Sequence, residues 1–322
     1  VLRHNYSQTQ ALTSTQAKGA HTLDNQIRLM RMLEKRGILD RGVEFLPDDA
    51  EVAERLDAGE PLVRPELAVL MAYAKITLFD DLLESTVPDD AYLGRELFRY
   101  FPDQMAETYA DEINSHRLRR EIIATMLANS MVNRGGATFI TRLKDQTGAT
   151  ASEIAQSFVA VRNSFGLTEL NSEIDELDTK IDGALQLELY SRVQDLFLER
   201  VIWFKRNVSF ADGIASVVGR FAEGILYLCP RLKTIVSEEQ AAEFERHFKR
   251  YCEAGVPEPL ATRLAWLPVE AAIPDVVIIS EETGADLETA ARTAVEVSDF
   301  FRIGPMDLMA RKLLVADYYD GL

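Results

Sequence analysis

The sequence predicts an all-α fold, a multi-helical array with an internally repeated helix-turn-helix unit. Three observations lead there. Apolar residues recur at spacings of three and four along most of the chain, and period-two alternation bounded by turns is nearly absent. Helix-start and helix-stop residues punctuate those stripes. Finally, "FITRLKDQTGATASEIAQSFVAVRNSFGL" from Phe139 aligns without gaps on "DVVIISEETGADLETAARTAVEVSDFFRI" from Asp275, sharing Thr-Gly-Ala and then an alanine, two valines and a phenylalanine.

Taken in order, Thr22 is placed to cap a helix carrying Leu23, Ile27, Met30 and Leu33, which ends at Arg36-Gly37. Pro65 suits the first turn of "RPELAVLMAYAKITLFDDLLES", where the fixed φ of proline is already helical and its missing N–H would be unpaired anyway. Pro88 lies beyond that helix. The stretch from His116 to Arg134 would form a helix of about 28 Å, ended by Gly135-Gly136. In the repeat, Gly148 and Gly284 are placed to take the left-handed conformation that ends a helix, and Thr150 and Asp286 to cap the next, each cap contributing ~1 kcal/mol. Ile154, Phe158, Val161 and Phe165 then form a stripe matched by Ala290, Ala294, Val297 and Phe301, whose smaller residues predict closer packing in the second copy. "DVVII" alone has the β-branched content of a strand, but its partner "FITRL" reads as helix, so both are assigned to helices. Ser237 with Gln240 forms a capping box ahead of "AAEFERHFKRYCEAG". Polar or glycine-rich joints fall near 14–21, 57–62 and 166–173, and "STQAKGAH" reads as a mobile loop.

Composition narrows the function. Lys and Arg total 35 against 52 Asp and Glu, a balance of −17 that opposes any broad attraction to nucleic acid or anionic lipid. With 322 residues and 47% hydrophobic content, the chain exceeds the size at which single cores divide, so two helical regions are expected. Cys229 and Cys252 fit reduced thiols, no signal peptide opens the chain, and no run approaches a membrane span, which together predict a soluble, cytoplasmic protein. A start at Val1 without an initiator Met and an abrupt end at Leu322 read as an excerpt of something longer.

Helix, Thr-Gly-Ala turn and capped helix also describe a DNA-reading module. A recognition helix from Thr150 would present Ser152, Glu153, Gln156 and Ser157, and the second copy Asp286, Glu288, Thr289 and Arg292, a set poorly suited to gripping phosphate. The four histidines are scattered and the two cysteines stand 23 positions apart, so no metal site is expected. Gly135-Gly136 follows a helical segment and lacks the strand that a dinucleotide-binding glycine loop requires.

The basic helix calls for separate treatment, because Arg117, Arg119, Arg120 and Arg134 sit together in an acidic chain. Arg117 and Arg120, with Asn129 and Asn133, could meet an anion. An internal polar network is the favoured reading, with the arginines paired to Glu121, Asp111, Glu112 or Asp145 and the amides partnered between helices.

"HNYSQTQAL" (4–12), "VRPELAVLMAYAKITL" (63–78), "PDDAYLGRELFRYFP" (88–102) and "HRLRREIIATMLANSMVNRGGATF" (116–139) resemble the large NAD-specific glutamate dehydrogenases, most strongly through about Leu143. The resemblance implies a long polypeptide with N-terminal regulatory modules, a central dehydrogenase core and a helical C-terminal region, of which this chain looks like the last part. It implies oxidative deamination of L-glutamate to 2-oxoglutarate and ammonium, hydride transfer to NAD, and a cytoplasmic homo-oligomer. The family's glycine-rich cofactor loop and its catalytic lysine and aspartate lie before the stretch that matches here. No residue of this chain therefore inherits a catalytic, cofactor-binding or metal-binding role. Residues 1–20 would leave the catalytic core, 21–110 link, and 111–322 form a C-terminal helical domain holding the repeats at 139–167 and 275–303. Asn5, Gln8 and Gln10 are the candidates for docking on the core, although His4 stands where the family commonly has an aspartate. The partner implied is the rest of the chain's own polypeptide, with no nucleic acid and no membrane. The alternative is an independent helical interaction module or a helix-turn-helix DNA-binding protein.

Overall fold

A computed structural model describes residues 22–303 and, outside that range, residues 8, 9, 12, 13, 15 and 306. Among the described residues all regular structure is helical and there is no strand. In chain order the helices are α1 (Leu23–Lys35), α2 (Asp49–Ala58), α3 (Arg64–Leu83), α4 (Gly94–Tyr100), α5 (Asp103–Thr108), α6 (Ala110–Asn114), α7 (Arg119–Gly135), α8 (Phe139–Thr147), α9 (Ala151–Ser164), α10 (Leu167–Asp175), α11 (Gly183–Asn207), α12 (Gly213–Leu228), α13 (Leu232–Ile235), α14 (Glu238–Glu253), α15 (Glu258–Glu270), α16 (Ile273–Thr283) and α17 (Leu287–Phe301). They form two compact units, Val1–Asn163 with Leu187–Val218, and Ser164–Gln186 with Gly219–Leu322.

The first unit is organised by α3 packed on α7, with α4 also against α7 and α1 against α3 and α8. Helix α3 starts as Pro65 suggests, with proline in the first turn and Glu66 reaching back to the Val63 N–H. Its Leu67, Leu70, Met71, Ala74, Leu78 and Leu82 are buried, a stripe at helical spacing. Helix α7 answers with Ile123, Leu127 and Met131, and its buried Ala124 and Ala128 leave room for a close neighbour. Beyond α7 the core turns aromatic. The rings of Phe139, Phe158 and Phe197 meet in one cluster, Phe158 standing edge-on to Phe197 at 4.9 Å between centroids.

In the second unit α14 and α15 pair, joined by a turn in which Gly255 has φ +91°. Phe244 stacks on Trp266 with centroids 4.1 Å apart, and Leu232 and Ala265 complete that cluster. Helix α16 lies against α17, and it touches α12 closely enough that a Cβ on Gly224 would stand 2.4 Å from Val277 Cγ2.

Gly148 (φ +66°) ends α8 and Gly284 (φ +72°) ends α16, both left-handed. Thr150 Oγ1 accepts from the Glu153 N–H at 3.3 Å, and Asp286 accepts from the N–H groups of Glu288 and Thr289. Residues 275–279 lie within α16, and Ser237 and Gln240 cap α14 reciprocally. Other expectations need correction. Thr22 caps nothing with its side chain, because its hydroxyl accepts from Gln26 Nε2 instead. The joint expected at 166–173 is almost all helix, since Gly166 takes a left-handed turn of one residue and α10 begins at once. The two stripes are not equivalent either. Ile154, Phe158, Val161 and Phe165 are buried, whereas Val297 and Phe301 are 43% and 60% exposed and only Ala290 and Ala291 of α17 are buried. Small residues brought α17 to its neighbours at one end only. The loop expected at 14–21 lies outside the described residues except for Thr15.

The Gly224 contact makes a directional prediction. Alanine normally stabilises a helix over glycine by about 1 kcal/mol, but here its methyl would overlap Val277. Gly224→Ala is therefore expected to destabilise the second unit by roughly 1–3 kcal/mol, read by thermal melting, and Gly219→Ala, where a Cβ meets nothing within 4 Å, should not.

Candidate functional site

The basic stretch forms a clamp at the end of α3. Arg120 Nη2 donates to the carbonyls of Leu83 and Ser85, both at 2.9 Å, and its Nε lies 3.4 Å from Asp89 Oδ1. Arg119 Nη1 reaches the Pro88 carbonyl at 3.4 Å. The last carbonyls of a helix have no partners within it, so these guanidinium groups tie the end of α3 to the start of α7. The Arg120 side chain is 44% exposed, and Arg117 is exposed in the turn ahead of α7 rather than inside the helix. Asn129 is half-buried and Asn133 is buried. The structure thus does not gather Arg117, Arg120, Asn129 and Asn133 at one point. Nor is Asp145 the acid that serves the clamp: it stands 3.6 Å from Arg28, and Asp89 takes its place.

The buried ion pair of this unit lies elsewhere. Arg162 on α9 donates through Nη2 to Glu96 Oε1 on α4, with 7% and 2% of the two side chains exposed. Glu96 Oε1 also accepts from Arg99 at 3.2 Å. Arg162 Nε donates to Asn163 Oδ1 at 3.0 Å, Nη1 to Ser130 Oγ at 3.4 Å, and Asn163 Nδ2 continues to the Tyr92 hydroxyl at 3.1 Å. Burial lowers the Arg162 pKa, opposed by the Glu96 charge, but a guanidinium stays protonated at any ordinary pH. A signal was present in the sequence: Arg162 interrupts the apolar stripe Ile154, Phe158, Val161 and Phe165, and Glu96 sits beside Leu97.

In the second unit Arg263 Nη2 donates to the carbonyls of Phe165 and Gly166 at 2.6 and 3.0 Å, and Nη1 lies 3.7 Å from Glu173. Near it Glu270 is 5% exposed, and burial pushes its carboxyl up to about 7 against the pull of Arg263. Burial, with the Glu270 charge, likewise pushes the Cys229 thiol up to about 12, so its reactive thiolate is scarce at neutral pH.

Gln8 is half-buried in a helical stretch, while Asn5 and Gln10 lie outside the described residues. Among the described residues no group of His, Cys, Asp or Glu is placed to hold a metal ion, and no helix is long and apolar enough to cross a membrane. Both cysteines are free thiols. Helix α9 cannot act as a DNA-reading element, because Ser157, Phe158 and Val161 are fully buried in the core. A small pocket of mixed polar and apolar lining opens where α7 turns into α8, at Gly135-Gly136.

Residues 59–322 match the family described as glutamate dehydrogenase, C-terminal. The chain belongs to this family. It is 38% identical over 292 residues to the NAD-specific glutamate dehydrogenase of Pseudomonas aeruginosa, covering 91% of this chain and 18% of that protein. The protein of the same name from Halomonas elongata is 36% identical over 265 residues, 82% of this chain and 16% of the relative. The one from Mycobacterium tuberculosis is 29% identical over 311 residues, 96% and 19%. The chain therefore spans less than a fifth of the length of these relatives.

Two outcomes follow from the geometry. Arg162→Met should cost roughly 3–5 kcal/mol, since it leaves a buried carboxylate with only the partly exposed Arg99 for a partner, whereas Arg120→Ala, at an exposed clamp, should cost about 1–2 kcal/mol; urea denaturation of both variants compares them. For Glu270, the folded-state pKa near 7 exceeds the ordinary 4.5. The folded state then binds more protons between those values, so the stability this group supplies is fully present below about pH 4.5 and is lost as pH rises through about 7. The loss amounts to roughly 3 kcal/mol. Glu270→Gln should flatten that part of the stability profile and leave the variant the more stable protein at pH 8.

Proposed function

We propose that this chain is the C-terminal helical region of an NAD-dependent glutamate dehydrogenase, and that it contributes structure and subunit or domain contacts rather than hydride chemistry. The observation that carries the reading is the shape of the match: nearly all of this chain aligns with less than a fifth of each relative, within a family defined by its C-terminal position. The sequence adds that no strand leads into a glycine loop able to seat a pyrophosphate on a helix N-terminus. In this reading residues 1–20 leave a catalytic core, 21–110 connect, and 111–322 form the helical domain. The core would supply the cofactor site and the reaction of L-glutamate with NAD to give 2-oxoglutarate, ammonium and NADH. Asn5, Gln8 and Gln10 would meet that core, and the assembly would be a cytoplasmic homo-oligomer.

The test is paired. Calorimetric titration of NAD into the 322-residue chain is expected to give no saturable heat, and the same chain joined to its upstream polypeptide should reduce NAD in a glutamate-dependent manner at 340 nm. Saturable micromolar NAD binding by the chain alone, or a joined polypeptide that leaves glutamate untouched while deaminating nothing, would sink the reading.

A further inference from the structure

We propose that the pocket at the Gly135-Gly136 turn binds a small oxyanion, a carboxylate or phosphate group, between the first turn of α8, the Arg142 guanidinium and the Gln26 side-chain amide. The pocket encloses about 40 Å³. That is room for roughly three waters, or for the head of one such anion.

Four features converge there. First, α8 begins at the pocket without help: its N-cap residue Thr138 makes no side-chain cap, and no acidic residue lies in its first turn. The Phe139 N–H is met by the Gly136 carbonyl at 3.2 Å, and the N–H groups that follow it carry partial positive charge and need acceptors. Second, Arg142, one turn along α8, lines the pocket; its backbone N–H donates to the Thr138 carbonyl at 3.0 Å, and its guanidinium is engaged in no ion pair or hydrogen bond among the described residues. Its charged neighbours are already committed, Lys144 to Asp81 at 3.1 Å and Asp145 to Arg28 at 3.6 Å. Third, Gln26 also lines the pocket, is 2% exposed, and has an Oε1 with no hydrogen-bond partner. Leaving a buried amide oxygen unmatched costs about 1–3 kcal/mol. Rotating the amide by half a turn answers this, since Oε1 can then accept from the Thr22 hydroxyl that now receives Nε2 at 2.9 Å, and Nε2 becomes a donor into the pocket. Fourth, in a chain of net charge −17 none of the described residues that line the pocket carries a carboxylate.

The turn itself is built for close approach. Gly136 has φ +86° with ψ 172°, a conformation open only to glycine, and Thr15 Oγ1 comes near it. The pocket's chemistry is independent of the chain's place in a dehydrogenase.

The experiment is a titration of the 322-residue chain with sodium phosphate and, separately, sodium malonate, at ionic strength held constant with sodium chloride. Amide resonances are followed by two-dimensional NMR. Saturable, millimolar shifts centred on Gly136, Ala137, Thr138 and Ile140 are expected, and the stronger of the two titrants identifies whether phosphate or carboxylate is preferred. Arg142→Met should weaken binding at least about tenfold, equivalent to roughly 1.4 kcal/mol. Arg142→Lys should recover part of it, and Arg117→Met, an exposed arginine outside the pocket, should change nothing. Absence of saturation by either anion, or an affinity untouched in a folded Arg142→Met protein, would show that the pocket holds only water and overturn the assignment.

Discussion

A charge placed where water cannot reach must find its partner inside the protein, and the first unit is arranged around that requirement. Arg162 sits on the helix that supplies Phe158 to the ring cluster, and among the described residues its acid is Glu96, five helices earlier in chain order. Desolvating either ion alone would cost several kcal/mol. The approach of α4 to α9 is therefore specified more tightly than apolar packing would require. Ser130 extends the constraint to α7, and Tyr92 and Asn163 close the circuit. Pairs of this kind add little net stability but penalise every arrangement that separates them, and α7, held by α3, α4 and this network at once, becomes the axis of the unit.

The second unit uses a different logic. There Arg263 donates to the carbonyls of buried Phe165 and half-buried Gly166 and leaves Glu270 without a full ion-pair partner, in a setting where burial outweighs the pull of the guanidinium. The result is a group whose charge is adjustable near neutral pH, in place of a fixed pair. One unit thus buries both partners of an ion pair, and the other buries a carboxyl that is neutral over part of the physiological range.

The helical class could be read from spacing alone because α3, α7 and α9 bury stripes that leave no room for a period of two. Turn chemistry was equally legible: Gly148, Gly284, Asp286 and Ser237 act locally, and local signals survive in a sequence. What failed was long-range. Besides Asp89, Arg120 meets two carbonyls more than 30 residues away, and no charge pattern announces a carbonyl. Arg162 and Glu96 are 66 residues apart, so each looked like an ordinary surface residue unless its apolar surroundings were weighed. The exposure of Val297 and Phe301 shows the same limit from the other side, since matching residue types do not guarantee matching neighbours.

Two adjacent glycines can look like redundancy, a turn with slack to spare. Here they are closed to drift for unrelated reasons. At Gly135 the obstacle is crowding, because a Cβ would fall 2.3 Å from the Phe139 ring, and at Gly136 it is chirality, because the backbone takes a path that L side chains avoid. A change at one position cannot be compensated at the other. Since Phe139 also belongs to the ring cluster with Phe158 and Phe197, lineages that vary freely along the surface of α7 should still find this corner shut to substitution, whatever occupies the pocket beside it.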